Sequence, residues 1–420
     1  MARPSRRAQA PQERYPVNDD LKNFVTRTLK LNRRRRTGGT PVTTQGLTIA
    51  VVGLGFGEQF VPIYLSHPAV SEVVLVERDP MRLRAVADRY GIADRYLHIE
   101  DVLRDPGVDA VHVLAPVPLH ADLSVRVLES GKHCACAVPM ATTLKDIDRI
   151  MVAQAASGRN YMMMETSVYG REYLTVERMY RDGDFGPLSL YRGFHIQNLD
   201  GYPDYWQGYP PMHYLTHALS PALALLETAV SSVQARGAGK LTPKRRAGGF
   251  DNQYPAEVGL FTLTNSDALV EITMAFFQTA RSYQEGFSLY GERRGIEWPH
   301  DNEGDMTQYD MFPPREGTRG NAIETSRVTP EDFPDLLPPE LGQYTKSTSV
   351  HFPGMNEPVL VGADHGGSHP HLVHEFVSSI VERRTPRVDV IRSAEWTAPG
   401  ICAHSSALEA GRVFEVPAFR

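Results

Sequence analysis

The sequence lacks the features that mark several common classes of protein. Its 420 residues contain only three cysteines, Cys134, Cys136 and Cys402, which are too few for a disulfide framework and lack the spacing of metal ligands. No apolar run is long enough to cross a bilayer, and no apolar segment follows the arginine-rich N-terminus, so we expect neither a membrane anchor nor a signal peptide. These absences favour a reducing, cytoplasmic compartment.

The composition is typical of a globular protein. Apolar residues make up 41% and charged residues 22% of the chain, and its length allows two domains with full cores. Residues 1–46 carry eleven Lys/Arg against three Asp/Glu, although the whole chain has a net charge of −6. We expect this basic arm to dock onto the acidic body or a neighbouring subunit. Neither aromatic residues nor a helical pattern accompanies the run Arg33 to Arg36, so we expect no nucleic-acid partner.

The most informative stretch runs from Leu47 to Glu77. It begins with the apolar run LTIAVV, continues through a turn with Gly53, Gly55 and Gly57, and ends with VVLV before Glu77. This order predicts a strand, a tight turn, a helix and a second strand. Glycines at such a turn let the pyrophosphate of a dinucleotide lie against backbone N–H groups at a helix N-terminus. The pattern therefore predicts a dinucleotide-binding site.

Glu77 and Arg78 bear on the choice between NAD and NADP. Glu77 lies about twenty residues past the turn, where a carboxylate accepts hydrogen bonds from both ribose hydroxyls. Arg78 could reach a 2′-phosphate, but Glu77 would repel that phosphate, so we expect NAD. The third glycine of the dinucleotide motif would fall at Glu58, and Gly57 stands before it instead, which predicts a slightly shifted helix start.

Strand and helix patterns alternate from residue 47 to about residue 167. Helices are predicted at RLRAVADRYGI and at PLHADLSVRVLESGKH, where Gly131 closes the helix. A short helix and a buried strand are predicted at DVLRDPGVDAVHVLAP, and another strand at CACAVP. This alternation predicts an α/β domain with a doubly wound parallel sheet.

The pattern changes after residue 167. Long alternating strands follow with few helices between them, which predicts an α+β domain over residues 168–420 with an open, mainly antiparallel sheet. Residues 300–360, rich in Pro, Gly and acids, are predicted to be a long irregular segment beside a site or interface, and HPHLVHEFVSSIVERR a closing helix. The apolar open face of the sheet predicts a homo-oligomer, a dimer or tetramer braced by the basic arm.

From residue 47 onward the sequence resembles the superfamily of glucose-fructose oxidoreductase, inositol dehydrogenase and rhizopine-catabolism proteins (Gfo/Idh/MocA). The resemblance is carried by the Gly53 turn, APVPLHADL, LESGKH and CAVPMATT. It implies an NAD-binding Rossmann domain over residues 47–167, followed by a substrate-binding and oligomerisation domain. The cofactor contacts that it implies are Gly53, Gly55, Phe56, Gly57, Glu77, Arg78, Pro116, Val117, His120, Ala137, Val138 and Thr166.

Two motifs depart from the dehydrogenases of that superfamily. Where these enzymes have Glu-Lys-Pro, with a lysine that helps to move the proton of the oxidised hydroxyl, this chain has Ala137, Val138 and Pro139. Where they have Asp-x-Gly-x-His, it reads from His213 to His217, so that only the histidine is kept. A dehydrogenase of the usual pattern is therefore not the expected activity.

A narrower resemblance is to the NAD-dependent glycosidases of the same superfamily, such as the α-N-acetylgalactosaminidases. They too have Val-Pro in place of Lys-Pro. Their Tyr-Pro-Thr-His, Met-rich strand with Glu-Asn, and Arg-Pro-Tyr motifs are also similar to segments of this chain. The residues of this chain that stand at those motifs are Tyr214, His217, Glu165, Thr166, Tyr169, Arg281 and Tyr283.

This resemblance implies a glycosidase in which NAD takes a hydride from C3 of the sugar and later returns it. The C3 ketone acidifies the C2–H bond, loss of that proton expels the C1 substituent, and water adds to the enone. His217 is implied as the group that handles the C3 hydroxyl proton. Tyr214, Tyr283 and Glu165 remain open as the C2 base, since a desolvated carboxylate beside His217 or Arg281 would titrate near neutrality.

Plainer interpretations stand beside these roles. His217 could be a hydrogen-bonded core histidine, either tyrosine could be a wall of the pocket, and Glu165 could anchor a ribose. His213 and His217 at positions i and i+4 could share a zinc ion, but no third ligand follows at a suitable distance. We therefore expect no metal.

The segment HIQNLDGYPDYWQGYPPMHY mixes aromatic and amide side chains, as a sugar-binding wall does. Nearby arginines, with Arg294 among them, and His365 could grip an anionic substituent. Some glycosidases of this superfamily act on sulfoquinovose, a sulfonated sugar, which makes a sulfoquinovose glycoside the specific choice. The residues predicted to bind substrate are Tyr169, Arg171, His195, Gln197, Trp206, His213, Arg281 and His365.

Two other functions remain open from the sequence. The alternative enzyme is an NAD(P)-dependent sugar dehydrogenase that forms a keto-sugar, with His217 and Tyr214 replacing the missing lysine. The alternative from another class is a non-catalytic dinucleotide sensor or assembly protein. The cluster of polar groups expected at the site favours an enzyme over the latter.

Overall fold

Two β-sheets organise the part of the chain that the computed structural model describes. This part comprises residues 46–300, 304–314, 316–317, 319–352, 358–362 and 364–419, so that all but the last residue of the basic arm lies outside it. Residues 44–420 form one compact unit. The predicted boundary at residue 167 remains a prediction, because both sheets lie within that unit.

The first sheet has six parallel strands in the order β3-β2-β1-β4-β5-β6. Its central strands are mainly apolar and largely buried, as in doubly wound folds, where helices cover both faces of the sheet. The predicted parallel sheet is therefore confirmed. Its strands are β1 (Leu47–Val52), β2 (Val70–Val76), β3 (Arg95–Tyr96), β4 (Ala110–Val113), β5 (His133–Cys136) and β6 (Tyr161–Met163).

Helices connect these strands, and two of them begin at side-chain caps. Asp79 accepts a hydrogen bond from Met81 N–H, and Thr143 accepts one from Asp146 N–H. The helix after Gly53 starts at Leu54 and ends at Gly57, and a 3₁₀ turn follows at Glu58–Phe60. The helices are α1 (Leu54–Gly57), α2 (Val61–Ser66), α3 (Pro80–Tyr90), α4 (Ile99–Arg104), α5 (His120–Glu129) and α6 (Leu144–Ser157).

The second sheet has nine strands in the order β14-β13-β12-β11-β7-β10-β9-β8-β17. Only β7 and β10 pair in parallel, so the predicted mainly antiparallel sheet is confirmed. The strands are β7 (Leu188–Ile196), β8 (Val230–Ala238), β9 (Ala256–Leu263), β10 (Leu269–Ala275), β11 (Gln284–Gly291), β12 (Arg294–Glu297), β13 (Met306–Phe312), β14 (Ala322–Val328) and β17 (Phe414–Glu415). A small separate sheet pairs β15 (Thr348–Val350) with β16 (Val359–Val361).

One expectation for the second half was wrong, and another was incomplete. Residues 300–360 are not irregular throughout, because β13 and β14 extend the nine-stranded sheet. The predicted closing helix exists, but a longer helix follows it and packs against β8 and α6. The helices of this half are α7 (Arg171–Arg181), α8 (Thr216–Leu226), α9 (Pro339–Gly342), α10 (His369–Val381) and α11 (Val390–Leu408).

Helix α8 approaches the nine-stranded sheet unusually closely at Gly193 in β7. A Cβ atom at this residue would lie 2.2 Å from the Ala218 carbonyl oxygen and 2.8 Å from Ile272 Cδ1. The Tyr191 hydroxyl donates to the same Ala218 carbonyl at 2.8 Å. Because His217 directly precedes Ala218, Gly193 fixes how near His217 lies to the sheet.

In the described parts of the chain, no helix is both long and apolar enough to cross a membrane.

We expect Gly193→Ala to lower the free energy of unfolding by about 1–3 kcal/mol, because the added methyl group must displace α8 or strain the strand. The measurement is urea denaturation followed by circular dichroism. Gly362→Ala is the control, since its Cβ would lie 3.6 Å from Asp364, an ordinary contact. If both variants are as stable as the wild type, the close approach of α8 to β7 does not require a glycine at residue 193.

Candidate active site

A buried histidine and glutamate lie where the two sheets meet. Glu165 directly follows the parallel sheet, and His217 lies in the first turn of α8. The His217 Nδ1 atom is 2.7 Å from Glu165 Oε1, and the residues are 4% and 0% exposed. The same carboxylate oxygen accepts the Ser167 N–H at 3.0 Å. The pair therefore ties the end of one sheet to the helix that covers the other.

The surroundings favour the ionised form of this pair. Burial lowers the pKa of His217, but the carboxylates of Glu165 and Glu285 outweigh burial and raise it to about 9. Burial raises the pKa of Glu165, yet the charge and hydrogen bond of His217 bring it below its usual range. At neutral pH the pair is therefore an imidazolium and a carboxylate.

Glu285 is a third member of the cluster that the sequence reasoning missed. It lies in β11 opposite His195 of β7, and its Oε2 atom is 3.5 Å from His217 Nδ1. Burial raises the pKa of Glu285, and the opposing charge of His217 does not cancel that effect. The sequence offers no signal for its role beyond an acidic residue two positions after Tyr283.

The predicted catalytic residues surround the ring of His195. Its centroid lies 5.8 Å from that of Tyr214, 5.6 Å from that of His217 and 5.0 Å from that of Tyr283. The rings of Tyr214 and His217 are 5.0 Å apart. Burial lowers the pKa of His195 well below its usual value, so this ring is neutral. The structure thus brings Glu165, His217 and both tyrosines together.

The predicted aromatic wall lies beside this group. Trp206 packs edge-to-face on Tyr214, with ring centroids 5.1 Å apart. His195 Nε2 lies 3.2 Å from Gln197 Oε1, and Gln197 Nε2 donates to the Tyr202 hydroxyl at 2.7 Å. Gln197 therefore fixes the position of His195 and joins it to the exposed Tyr202.

A cavity of about 680 Å³ opens beside the cluster. Its volume is in the range of pockets that bind small molecules. The side chains that bear on the chemistry come from both halves of the chain. The wall includes Thr166, Arg171, Glu172, Tyr283, Glu285, Trp298, Lys346 and His365.

His365 lies at the edge of this cavity in a strained backbone conformation. Its φ is 52°, in the left-handed region that side chains other than glycine rarely adopt. Its ring is 5.4 Å from Tyr283 and 5.8 Å from Phe56 of the glycine turn. The preceding Asp364 accepts a hydrogen bond from Gln59 at 2.7 Å. The turn Asp364–Gly367 therefore connects the glycine turn to the cavity.

The glycine turn has the shape that a dinucleotide requires. Gly53 has φ 90°, and a Cβ there would lie 2.7 Å from the Leu114 carbonyl oxygen. Gly57 packs against Leu114 from the other side, where a Cβ would lie 3.0 Å from its Cδ1 atom. A Cβ at Gly55 would meet only Arg82, at 3.7 Å. Gly53 and Gly57 thus pack closely against Leu114, which follows β4, whereas Gly55 has room around it. Phe56 in the same turn is 38% exposed.

Glu77 ends β2 beside this turn, as predicted. Its carboxylate accepts the Leu54 N–H at 2.9 Å and the Asp79 N–H at 3.0 Å, and lies 3.7 Å from Arg82. Arg78 is exposed next to it. The carboxylate is therefore oriented at the mouth of the turn, where a ribose is expected to lie.

The remaining predicted cofactor contacts lie at the ends of β4, β5 and β6. His120 donates from both ring nitrogens, to the carbonyl oxygens of Pro139 and Ala115, each at 2.8 Å. Burial lowers the pKa of His120, but Cys136 and these carbonyls raise it to about 9. His120 thus braces the segments that carry Pro116, Val117, Ala137 and Val138. Thr166 places its hydroxyl 3.3 Å from His217 Nδ1.

Two predicted substrate contacts are directed elsewhere. His213 packs against His404, with centroids 5.0 Å apart, and burial lowers its pKa to about 3. His404 Nδ1 in turn lies 2.7 Å from Glu257 Oε1, and these two residues form a second buried histidine–glutamate pair. Tyr169 is buried with its ring beneath the Arg387 guanidinium, 5.7 Å away. Neither residue is brought to the cluster around His195.

The arginines predicted to grip an anionic group have protein partners. Arg171 lines the cavity, but it pairs with Asp332 at 3.1 Å and donates to the Thr345 carbonyl at 2.8 Å. Arg281 donates to Gln284, to Ser282 and to the carbonyl of His300. Arg294 pairs with Asp310 and Asp184 near the surface. Arg294 is therefore engaged in ion pairs near the surface and is the arginine that fits an anion-binding role least.

A search of the described residues finds no group of three His, Cys, Asp or Glu side chains that could hold a metal ion.

We expect His217 to titrate at about pH 9 and Glu165→Gln to lower that pKa, because burial is then opposed by less negative charge. A raised histidine pKa stabilises the folded state fully below about pH 6.5, and that contribution is lost as the pH rises through 9. Long-range ¹H–¹⁵N NMR of the imidazole measures the pKa. Glu257→Gln, at the His404 pair, is the control and leaves it unchanged. An unaltered His217 titration in Glu165→Gln would contradict the ion pair.

Comparison with protein families identifies the first sheet. Residues 47–165 match the family Gfo/Idh/MocA, described as an oxidoreductase family with an NAD-binding Rossmann fold. The match covers β1 to β6 and ends at Glu165. The cofactor site around Gly53 therefore lies within the matched region.

Curated relatives align with part of the chain. An uncharacterized oxidoreductase of Rhizobium meliloti is 33% identical over 34% of this chain and 43% of its own length. A glycosyl hydrolase family 109 protein of Porphyromonas gingivalis is 29% identical over 43% of this chain and 42% of its own length. The chain thus spans less than half the length of these two relatives.

Among solved structures, levoglucosan dehydrogenase in complex with NADH and levoglucosan has a similar fold. Its TM-score is 0.71, with 17% sequence identity, and the match covers 89% of this chain and 100% of that one. At this identity the likeness extends to the fold alone. Residues 47–165 thus form a Gfo/Idh/MocA family domain with an NAD-binding Rossmann fold, within a chain whose fold is similar to that of this dehydrogenase.

Proposed function

We propose that this protein is an NAD-dependent glycoside hydrolase that oxidises C3 of its sugar transiently, eliminates the C1 substituent, adds water and reduces C3 again. The observation that carries the proposal is the buried His217–Glu165 pair, 2.7 Å apart, at the inner end of an NAD-binding domain. Val138 in place of the dehydrogenase lysine and the relative named glycosyl hydrolase family 109 support it.

NAD bound at the glycine turn would supply the acceptor and donor of the hydride. The residues that would hold it are the turn Gly53–Gly57, the carboxylate of Glu77 and the segments braced by His120. The carboxylate favours NAD over NADP, since it would repel a 2′-phosphate.

His217 in its neutral form would take the proton of the C3 hydroxyl, hold it as the imidazolium that Glu165 stabilises, and later return it. Within the described residues, its contacts with Glu165 and with the Thr166 hydroxyl are both made by Nδ1. Nε2 is thus the nitrogen left for a substrate. Glu165 would fix the ring and stabilise its charged form, as a carboxylate does for a catalytic histidine.

The other groups would shape the sugar site and exclude water. Tyr214 and Tyr283 flank His195, while Gln197 and Trp206 form the wall behind them. Removal of the C2 proton requires a base within this group, for which the sequence left Tyr214, Tyr283 and Glu165 open. The burial of Glu165, His195 and His217 strengthens the charge interactions among them.

A sulfoquinovose glycoside is the specific substrate that we propose. Arg171 and Lys346 line the cavity and could face a sulfonate. Both are paired with Asp332, at 3.1 Å and 2.8 Å, so the sulfonate would have to compete with that carboxylate. Binding of an anionic sugar should therefore weaken as ionic strength rises.

A sugar dehydrogenase is the second candidate, because the His217–Glu165 pair can accept a hydroxyl proton without a lysine. We further propose a cytoplasmic protein, which its three buried free thiols support. A homo-oligomer is proposed through the open face of the nine-stranded sheet, where Val258, Leu260 and Leu269 are 40%, 44% and 46% exposed. The proposed bracing by the basic arm concerns residues outside the described structure.

One incubation separates the two enzymes. A panel of p-nitrophenyl hexosides, including the sulfoquinovoside, is mixed with protein and NAD⁺ while nitrophenol and NADH are both followed. Release of nitrophenol that requires NAD⁺ but yields no net NADH supports the glycosidase. Stoichiometric NADH with an intact glycosidic bond would establish the dehydrogenase instead.

We expect His217→Ala to reduce the rate of nitrophenol release at least about 100-fold, which is the usual size of a lost proton-transfer group. The matched control is His374→Ala, which removes a partly buried histidine that packs on His67 and should leave the rate unchanged. Steady-state kinetics of both variants provide the measurement. Survival of activity in His217→Ala would remove the role assigned to this residue.

A further inference from the structure

The groups that the sequence offered as the C2 base are poorly suited to that task. Burial raises the pKa of Tyr214 and that of Tyr283 above the usual range of tyrosine, although each residue as a whole is only partly buried. Neither hydroxyl therefore yields a tyrosinate readily. Glu165 is held by His217, whose charge lowers its pKa, and so it is a weaker base than a free carboxylate.

Glu285 is placed where such a base is needed. It lines the cavity and is 8% exposed, and β11 holds it opposite His195. Its Oε2 atom lies 3.5 Å from His217 Nδ1, the ring nitrogen that is not left for a substrate. The carboxylate and Nε2 are therefore within one sugar ring of each other and can serve neighbouring carbons. If His217 faces the oxygen on C3, Glu285 is within reach of the hydrogen on C2.

The charges around Glu285 also suit a base. Burial raises its pKa, His217 and the Tyr283 hydroxyl lower it in part, and Glu165 adds to the rise. A carboxylate with a raised pKa binds a proton more tightly, and a base poised nearer the working pH is more effective. Tyr283 then acts as a hydrogen-bond donor that orients the carboxylate.

We propose that Glu285 is the catalytic base that removes the C2 proton, an inference that rests on the proposed glycosidase function. The Glu285 carboxylate takes the proton, the C2–H electron pair forms the C1=C2 double bond, and the C1–O bond breaks with its electrons going to the aglycone. Water then supplies the hydroxyl at C1 while its proton neutralises the aglycone. Glu285, whose proton exchanges with solvent in the meantime, then protonates C2.

A substrate already oxidised at C3 tests this step apart from hydride transfer. The probes are p-nitrophenyl 3-keto-hexopyranosides of several configurations, mixed with the holoprotein, and nitrophenol release is followed above the uncatalysed background. We expect Glu285→Gln to reduce the enzymatic elimination at least about 100-fold. Glu285→Asp, which keeps a carboxylate, should recover part of the rate, and Tyr283→Phe should lose much less than Glu285→Gln.

The matched control is Glu271→Gln. The Glu271 carboxylate pairs with Arg192 on the outer face of the same sheet, so the variant should eliminate nitrophenol at the wild-type rate. Thermal unfolding and the His217 titration check that Glu285→Gln keeps the fold and the site. If Glu285→Gln eliminates nitrophenol as fast as the wild type does, the role of Glu285 is overturned, while the glycosidase proposal still stands. If the wild type accelerates elimination from none of the probes, the glycosidase proposal fails, and the role of Glu285 fails with it.

Discussion

The ion pair between His217 and Glu165 depends on both halves of the chain at once. Glu165 stands where the parallel sheet ends, and His217 reaches it from a helix that lies on the other sheet. A residue with a side-chain Cβ in place of Gly193 would hold that helix away. Removing one partner of such a buried pair leaves an uncompensated charge, so the packing of the two sheets and the chemistry of the site are set by the same contact.

The pair also determines the charge of its neighbours. The His217 imidazolium faces two buried carboxylates, Glu165 and Glu285, and its single positive charge can neutralise only one of them fully. Glu165 takes the short contact and keeps a low pKa, whereas Glu285 lies further away and its pKa is raised. Two carboxylates whose environments drive their pKa values apart are suited to different tasks. Glu165 is suited to holding the histidine, and Glu285 to exchanging a proton with a substrate.

Sequence could predict those parts of the site that are local in the chain. The Gly53 turn and Glu77 belong to one strand–helix–strand unit, and Tyr214 and His217 lie three residues apart. Glu285 could not be predicted, because its role follows from strand register opposite His195. The sequence also does not show the partners of Arg171 and Arg281, because Asp332, Thr345 and His300 lie far from these arginines in the chain. Strand β14 was hidden because its residues are largely exposed at the edge of the sheet and carry no buried alternation.

In the proposed mechanism, the carbon beside the oxidised one loses and regains a proton in every catalytic cycle while the cofactor ends unchanged. The most direct measurement is hydrolysis of a glycoside by the wild-type protein in D₂O, with the sugar product examined by ¹H NMR. The account predicts deuterium at C2 and retained hydrogen at C3. Cleavage that leaves hydrogen at C2 would contradict it, because the glycosidic bond would then break without elimination.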